Sequence, residues 1–140
     1  MPVEVEVELR VDIRSEADVV TARQKGRELA QQAGFAGTDL ALIATAISEV
    51  ARNIIEYAKQ GEMVLSIIHQ GSTRGVSVEA RDEGPGIVDV TRAMQNGFTT
   101  GKGLGLGLPG ARRLMDEFEI DSRTGAGTAV KMRKWVRSHG

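Results

Sequence analysis

Four groups of residues in this chain carry chemistry, and their order matters as much as their content. Glu49 and Asn53 stand four apart in Glu49-Val50-Ala51-Arg52-Asn53, so on a helix they share one face. A glutamate there can accept a proton from a hydroxyl or a water. The asparagine offers a neutral oxygen to magnesium, which keeps its waters and takes only one or two protein groups. Asp82 opens Asp82-Glu83-Gly84-Pro85-Gly86; its carboxylate can accept a hydrogen bond from an exocyclic amino group, as on adenine. Gly84 and Gly86 let the backbone come close to a flat base. The stretch from Gly97 to Gly110 holds six glycines and runs straight into a helix. The free N–H groups and partial positive charge of a helix start suit a phosphate, and Lys102 adds a point charge. The fourth group is Gly125-Ala126-Gly127-Thr128. Together the four describe a nucleotide site.

Taken singly, each group has a plainer reading. Glu49 serves equally as a solvated helix residue and Asn53 as a mild helix defect, while Asp, Gly and Pro are the commonest turn residues. The glycine run reads as a bare loop, against which the immediate helix start argues. Two familiar phosphate motifs also fail. Gly97-Phe98-Thr99-Thr100-Gly101-Lys102-Gly103 has one residue too few between its glycines for a P-loop, and Gly103 stands where a Ser or Thr would hold magnesium. Gly105-Leu106-Gly107-Leu108-Pro109-Gly110 matches the dinucleotide fingerprint in form. That motif needs an acidic residue ~20 positions later, and none follows Asp121.

The elements that must position these groups follow from periodicity. Val3, Val5, Val7, Leu9, Val11 and Ile13 alternate with charged residues, which predicts a strand with one buried face. Ser15 and Asp18 resemble a capping box, opening a helix that ends near Gly34. Thr38 caps a second helix, with Leu40, Ile43, Ala44, Ile47, Val50, Ala51, Ile54 and Ala58 at helical spacing. Gly61 ends that region. Strands over about 63–69 and 75–81 follow, joined by a polar turn. A short helix over 88–95 and a flexible stretch precede a third long helix from Leu108, with Pro109 in its first turn. Its apolar stripe is Leu108, Ala111, Met115 and Phe118. A hairpin of strands over about 118–123 and 128–136 closes the chain. Helices grouped between antiparallel strand pairs predict an α+β two-layer sandwich rather than a doubly wound sheet.

Composition bounds the rest. The chain has 140 residues and 41% hydrophobic content, enough for one domain with its own core. Its formal net charge is −1, so no global field favours nucleic acid or an anionic membrane. Glu4, Glu6 and Glu8 at one end and Lys131, Arg133, Lys134 and Arg137 at the other read as solvated faces of two edge strands. Cysteine is absent, and His69 and His139 stand apart from carboxylates, so a zinc site is not expected. No apolar run reaches membrane-spanning length and no signal segment opens the chain. A cytoplasmic protein is the expectation.

In this order the four groups resemble the motifs of the GHKL ATPase superfamily, whose Bergerat fold is shared by histidine-kinase catalytic domains and gyrase-type topoisomerases. Glu49 to Asn53 is similar to the N box, Asp82 to Gly86 to the G1 box, Gly103 to Gly107 to the G2 box, and Gly127-Thr128 to the last motif. The resemblance spans nearly the whole chain. It implies a Bergerat-fold α/β sandwich, residues 1–140 forming one ATP-binding kinase domain. A mixed, mostly antiparallel sheet of about five strands is covered on one face by three main helices. It implies ATP and Mg²⁺ as cofactors, with Asp82 on the adenine amino group and Thr128 supporting the base through water. Asn53 then holds Mg²⁺. Gly103, Leu104, Gly105, Leu106 and Gly107 grip the phosphates, with Lys102 assisting, and Glu49 is the catalytic base toward a protein Ser or Thr hydroxyl.

No phosphoacceptor-histidine helix pair and no second coupling domain is expected around this domain. That is similar to the anti-sigma-factor and switch-protein serine kinases. Ala51-Arg52-Asn53-Ile54, the short lid Gly97-Phe98-Thr99-Thr100-Gly101 and the stretch from Gly107 to Phe118 look like the stressosome kinases among them. That branch implies a STAS-domain scaffold or antagonist protein as substrate and a downstream phosphatase as activation target, with neither nucleic acid nor membrane as partner. An anti-sigma factor that binds a sigma factor and phosphorylates its antagonist is the first alternative. A nucleotide-gated adaptor with little turnover is the second. The short lid further implies weak ATP affinity until a partner helps.

Overall fold

A computed structural model describes residues 2–84, 107–123 and 125–137. The expected helix over 88–95, the lid, and Gly86, Lys102, Gly103, Leu104, Gly105 and Leu106 lie outside the described residues. The elements run β1 (Glu4–Ile13), α1 (Glu16–Ala33), α2 (Thr38–Ala58), β2 (Gly61–Gln70), β3 (Thr73–Asp82), α3 (Gly107–Leu114), β4 (Glu117–Arg123) and β5 (Gly127–Trp135). The five strands form one sheet in the order β1-β2-β3-β5-β4. Every pairing in it is antiparallel, so the sheet is not mixed.

Helical spacing puts Val19, Ala22, Gly26, Leu29, Ala30 and Ala33 of α1 into the core, and Leu40, Ile43, Ile47, Val50, Ala51 and Ile54 of α2 beside them. α1 ends in a Schellman motif: Gly34 takes φ 112°, its N–H bonds to Gln31 O, and the Phe35 N–H bonds to Ala30 O. At the other end Asp18 accepts from the Arg14 N–H at 2.9 Å and the Ser15 hydroxyl at 3.4 Å. The Ser15 side chain itself makes no cap bond, so the box is half formed. Thr38 does not cap α2. Gly37, at φ 59°, is the cap and Thr38 the first helical residue.

Alternate residues of each strand face these helices, and register sets the rows. Val11, Met63, Ala80, Val130 and Ile120 align across the five strands, as do Leu9, Leu65, Val78, Met132 and Phe118. Nearly all join one apolar cluster with α1 and α2; each Ile, Leu or Val fully buried there contributes roughly 1.5–3 kcal/mol. One step past the first row lies the sheet's last rung on that face: Ile13, Gly61, Asp82, Thr128 and Ser122. The sandwich therefore ends in a polar rung that faces the helix layer.

Three further expectations change. The strict alternation of β1 does not keep one face buried. Val5 pairs with Ile68 and Val7 with Ile67, so Glu6 is a bulge residue and Val5 turns to the other face. Val5 and Val7 are both exposed, while Val11 and Ile13 are buried. The helix α3 is eight residues rather than long: the Asp116 N–H bonds to Arg133 O and strand pairing begins at Glu117, so Phe118 belongs to β4. β5 is an interior strand, not an edge. Lys131 and Arg133 project from its outer side toward Glu79 and Glu117, and Lys134 turns inward to the Leu114 carbonyl at 3.0 Å.

Candidate functional site

The site is built along α2 and closed by the polar rung. At one end Gly84 packs so close to Ala58 that an added Cβ would stand 2.5 Å from the Ala58 Cβ. Asp82 is buried there, 8% exposed, and its Oδ1 accepts the Gly84 N–H at 3.0 Å and the Thr128 N–H at 3.3 Å. Two backbone donors on one oxygen fix the carboxylate plane. Oδ2 has no donor among the described residues, which leaves it as an acceptor directed by its neighbour. Gly127 makes this possible: it has φ 92°, and any Cβ would collide with the Asp82 carbonyl.

Thr128 is equally buried, and its hydroxyl lies 2.7 Å from the Ser122 hydroxyl, its cross-strand partner. Ser122 escaped the sequence reading. The hairpin was legible, and counting its register from Gly127 opposite Arg123 would have found the pair. An open pocket of about 800 Å³ lies at this end, lined by Gly61, Asp82, Gly84, Gly127 and Thr128 among others. Its volume falls within the range of small-molecule sites, roughly 300–1,000 Å³.

Along α2 away from this end come Asn53 and then Glu49, neither of them in the pocket's lining. At a rise of 1.5 Å per residue, Glu49 sits about 14 Å along the helix axis from Ala58. Asn53 is 8% exposed, and its amide meets no hydrogen-bonding partner among the described residues. Glu49 Oε2 accepts the Gly107 N–H at 2.9 Å, and Oε1 lies 3.4 Å from Arg52 NH1. Gly107 is the first residue of α3 and has φ 53°. Glu49 therefore occupies the amino terminus of α3, a seat for negative charge. Arg52 is the second participant that residue spacing did not single out.

The structure thus brings together Glu49, Asn53 and Gly107 along one wall and Asp82, Gly84 and Thr128 at its far end. A magnesium ion fits the donor set at Asn53: one buried, neutral amide without a partner among the described residues, where phosphates and water would supply the remaining ligands. Among the described residues no cluster of three or more His, Cys, Asp or Glu could hold a metal by itself, and no helix is long and apolar enough to cross a membrane.

Among the described residues, an antiparallel five-strand sheet lies against three helices, with a buried carboxylate in an open pocket at one end of α2 and Asn53 and Glu49 further along that helix; this is the layout of a nucleotide-binding α+β domain. The chain belongs to the histidine kinase-like ATPase domain family, which it matches over residues 14–134. It is 47% identical over 127 residues to the serine/threonine-protein kinase RsbT of Bacillus subtilis, covering 91% of this chain and 96% of that one. It is 36% identical over 104 residues to the anti-sigma F factor of Thermoanaerobacter sp., covering 71% and 73%. In fold it is similar to the mycobacterial sensor histidine kinase MprB, with a TM-score of 0.53 at 17% identity, over 92% of this chain and 97% of that one.

Proposed function

We propose that this chain is an ATP-dependent serine/threonine protein kinase of a bacterial partner switch. In this reading it phosphorylates a STAS-domain protein and, once released, binds and activates a downstream phosphatase. The observation that carries the chemistry is that Glu49 of α2 reaches the start of α3, with Asn53 one turn further along α2. Likeness over nearly the full length of both chains to a protein named as a serine/threonine kinase supports the acceptor class.

Asp82 Oδ2 accepts the adenine amino group, while Thr128, held by Ser122, supports the ring. The triphosphate then runs along α2 toward Gly107. By the family motif, residues 102–106 also hold it. Asn53 holds Mg²⁺, which offsets charge on the phosphates when bound. Glu49 accepts the proton of the incoming Ser or Thr hydroxyl. That oxygen bonds to the γ-phosphorus as the bond to the β-phosphate bridging oxygen breaks, and ADP leaves with the bridging electron pair.

Intact-mass spectrometry of a purified STAS-domain protein incubated with this chain, ATP and Mg²⁺ tests the reading. One added phosphate on Ser or Thr is expected, and Glu49→Ala should lower the rate by about 100-fold or more while still binding ADP. A stable complex that never transfers phosphate would leave only the adaptor. The anti-sigma alternative, favoured by the 36% identity to anti-sigma F factor, uses the same chemistry. Capture of a sigma factor rather than a phosphatase would select it.

A further inference from the structure

The two oxygens of Glu49 are held in different ways. Oε1 lies 3.4 Å from Arg52 NH1, three residues along the same helix, and Oε2 accepts the backbone N–H of Gly107 at 2.9 Å. The Glu49 side chain is 12% exposed and that of Arg52 41%. The guanidinium reaches further, with its Nε 3.9 Å from Glu16 Oε2 in the first turn of α1. Arg52 therefore leans between the helix that carries the base and the start of the preceding one. Without it, an unneutralised carboxylate would stand where the proposed triphosphate has to approach the start of α3.

The Gly107 N–H has two claimants. In this structure it is taken by Glu49. A phosphate oxygen seated at the start of α3 would use the same donor, and with more charge. A carboxylate oxygen that gives up this donor is free to accept another proton, whereas the oxygen facing Arg52 keeps its partner.

We propose that Arg52 is a positioning residue for phosphotransfer. It anchors Oε1, so that Oε2 passes from the Gly107 N–H to the substrate hydroxyl once a phosphate oxygen has taken that N–H. Nucleotide thereby arms the base, and Arg52 keeps the base turned inward beside the phosphates. This rests on the kinase reading above. The guanidinium is substantially exposed, where an ion pair adds little to stability, so the residue's contribution belongs to rate rather than folding.

Two measurements test it. In phosphotransfer to a STAS-domain protein, Arg52→Ala should lower kcat by roughly 10- to 100-fold through misplacement of the base. The KM for ATP, the affinity for ADP and the unfolding midpoint should stay close to wild type. Arg52→Lys, which keeps the charge and loses the planar fork, should recover part of kcat. Unchanged kcat in Arg52→Ala, or a loss matched in ADP affinity and stability, would overturn the proposal.

The second measurement needs no partner protein. The Gly107 amide resonance in the ¹H–¹⁵N spectrum should move on binding a non-hydrolysable ATP analogue, and Arg52→Ala should shift it without nucleotide. A Gly107 resonance blind to Arg52→Ala would defeat the positioning role even with the kinase active. A wild-type chain that transfers no phosphate would instead defeat the kinase reading, and the arming role with it.

Discussion

Asp82 shows how much one buried carboxylate can determine. Its Oδ1 is occupied by the Gly84 and Thr128 N–H groups, and an oxygen that accepts two backbone donors cannot swing. In the proposed reading Oδ2 is thereby pre-set for the base, and little order has to be imposed on it at binding. Hydrogen bonds to charged groups contribute about 1.5–3 kcal/mol, so Asp82→Ala should weaken ADP binding by roughly 10- to 100-fold. Calorimetric titration measures this; affinity within twofold of wild type would remove Asp82 from base recognition. Asp82 itself was legible from its place after an apolar-alternating strand and before Gly-Pro-Gly. Its dependence on Gly127 was not, because the collision that forbids a Cβ there involves a carbonyl on another strand.

Among the elements, the joint between α3 and β4 is held by Asp116. Its Oδ2 accepts the Trp135 N–H at 2.8 Å and its Oδ1 the Arg137 guanidinium at 2.8 Å. Burial pushes its carboxyl up, but the Trp135 N–H, Arg137 and Lys134 outweigh this and hold it below the ordinary value of 3.8. A carboxyl with a depressed folded pKa stabilises the fold above its unfolded pKa, and that contribution fades as pH falls through the folded value. In urea unfolding, wild type should therefore exceed Asp116→Asn by a constant margin above about pH 5, with the two curves converging as pH drops below 3.8. A margin that widens on acidification would contradict the assignment.

The same joint marks where periodicity misleads. Leu108, Ala111, Met115 and Phe118 keep helical spacing, yet Phe118 pairs with Met132 as a strand residue. Ladder bonds to β5 outcompete one more helical turn, and a sequence window does not see the partner strand. The bulge at Glu6 escaped for the same reason. Its surroundings are tertiary: Arg74 Nε reaches Glu6 Oε2 at 3.1 Å while its NH1 reaches Gln32 O at 3.3 Å. Helices α1 and α2 were legible because their apolar spacing is local, as is the α1 stop at Gly34; α2 stops ahead of the expected Gly61, at Lys59 with φ 70°.

For the whole molecule, binding and folding are linked. A ligand at 100 times its Kd stabilises the native state by about 2.7 kcal/mol. ADP at that excess should raise the thermal midpoint of the wild-type chain and raise that of Asp82→Ala clearly less, since a site weakened roughly 10- to 100-fold gains only about 0.4–1.4 kcal/mol at the same concentration. An equal rise in both would place the nucleotide elsewhere.

The sheet order also sets a timetable. The β2–β3 and β4–β5 hairpins close locally, whereas β3 meets β5 across a long stretch of chain; Asp82 and Thr128 are 46 residues apart in sequence. Distant pairings of this kind slow folding. A ribosome that has released only the first three strands exposes an Asp82 still lacking one of its two anchoring donors. Under the proposed function, nascent chains should stay silent toward nucleotide until the last hairpin docks, and a half-made copy should be unable to signal.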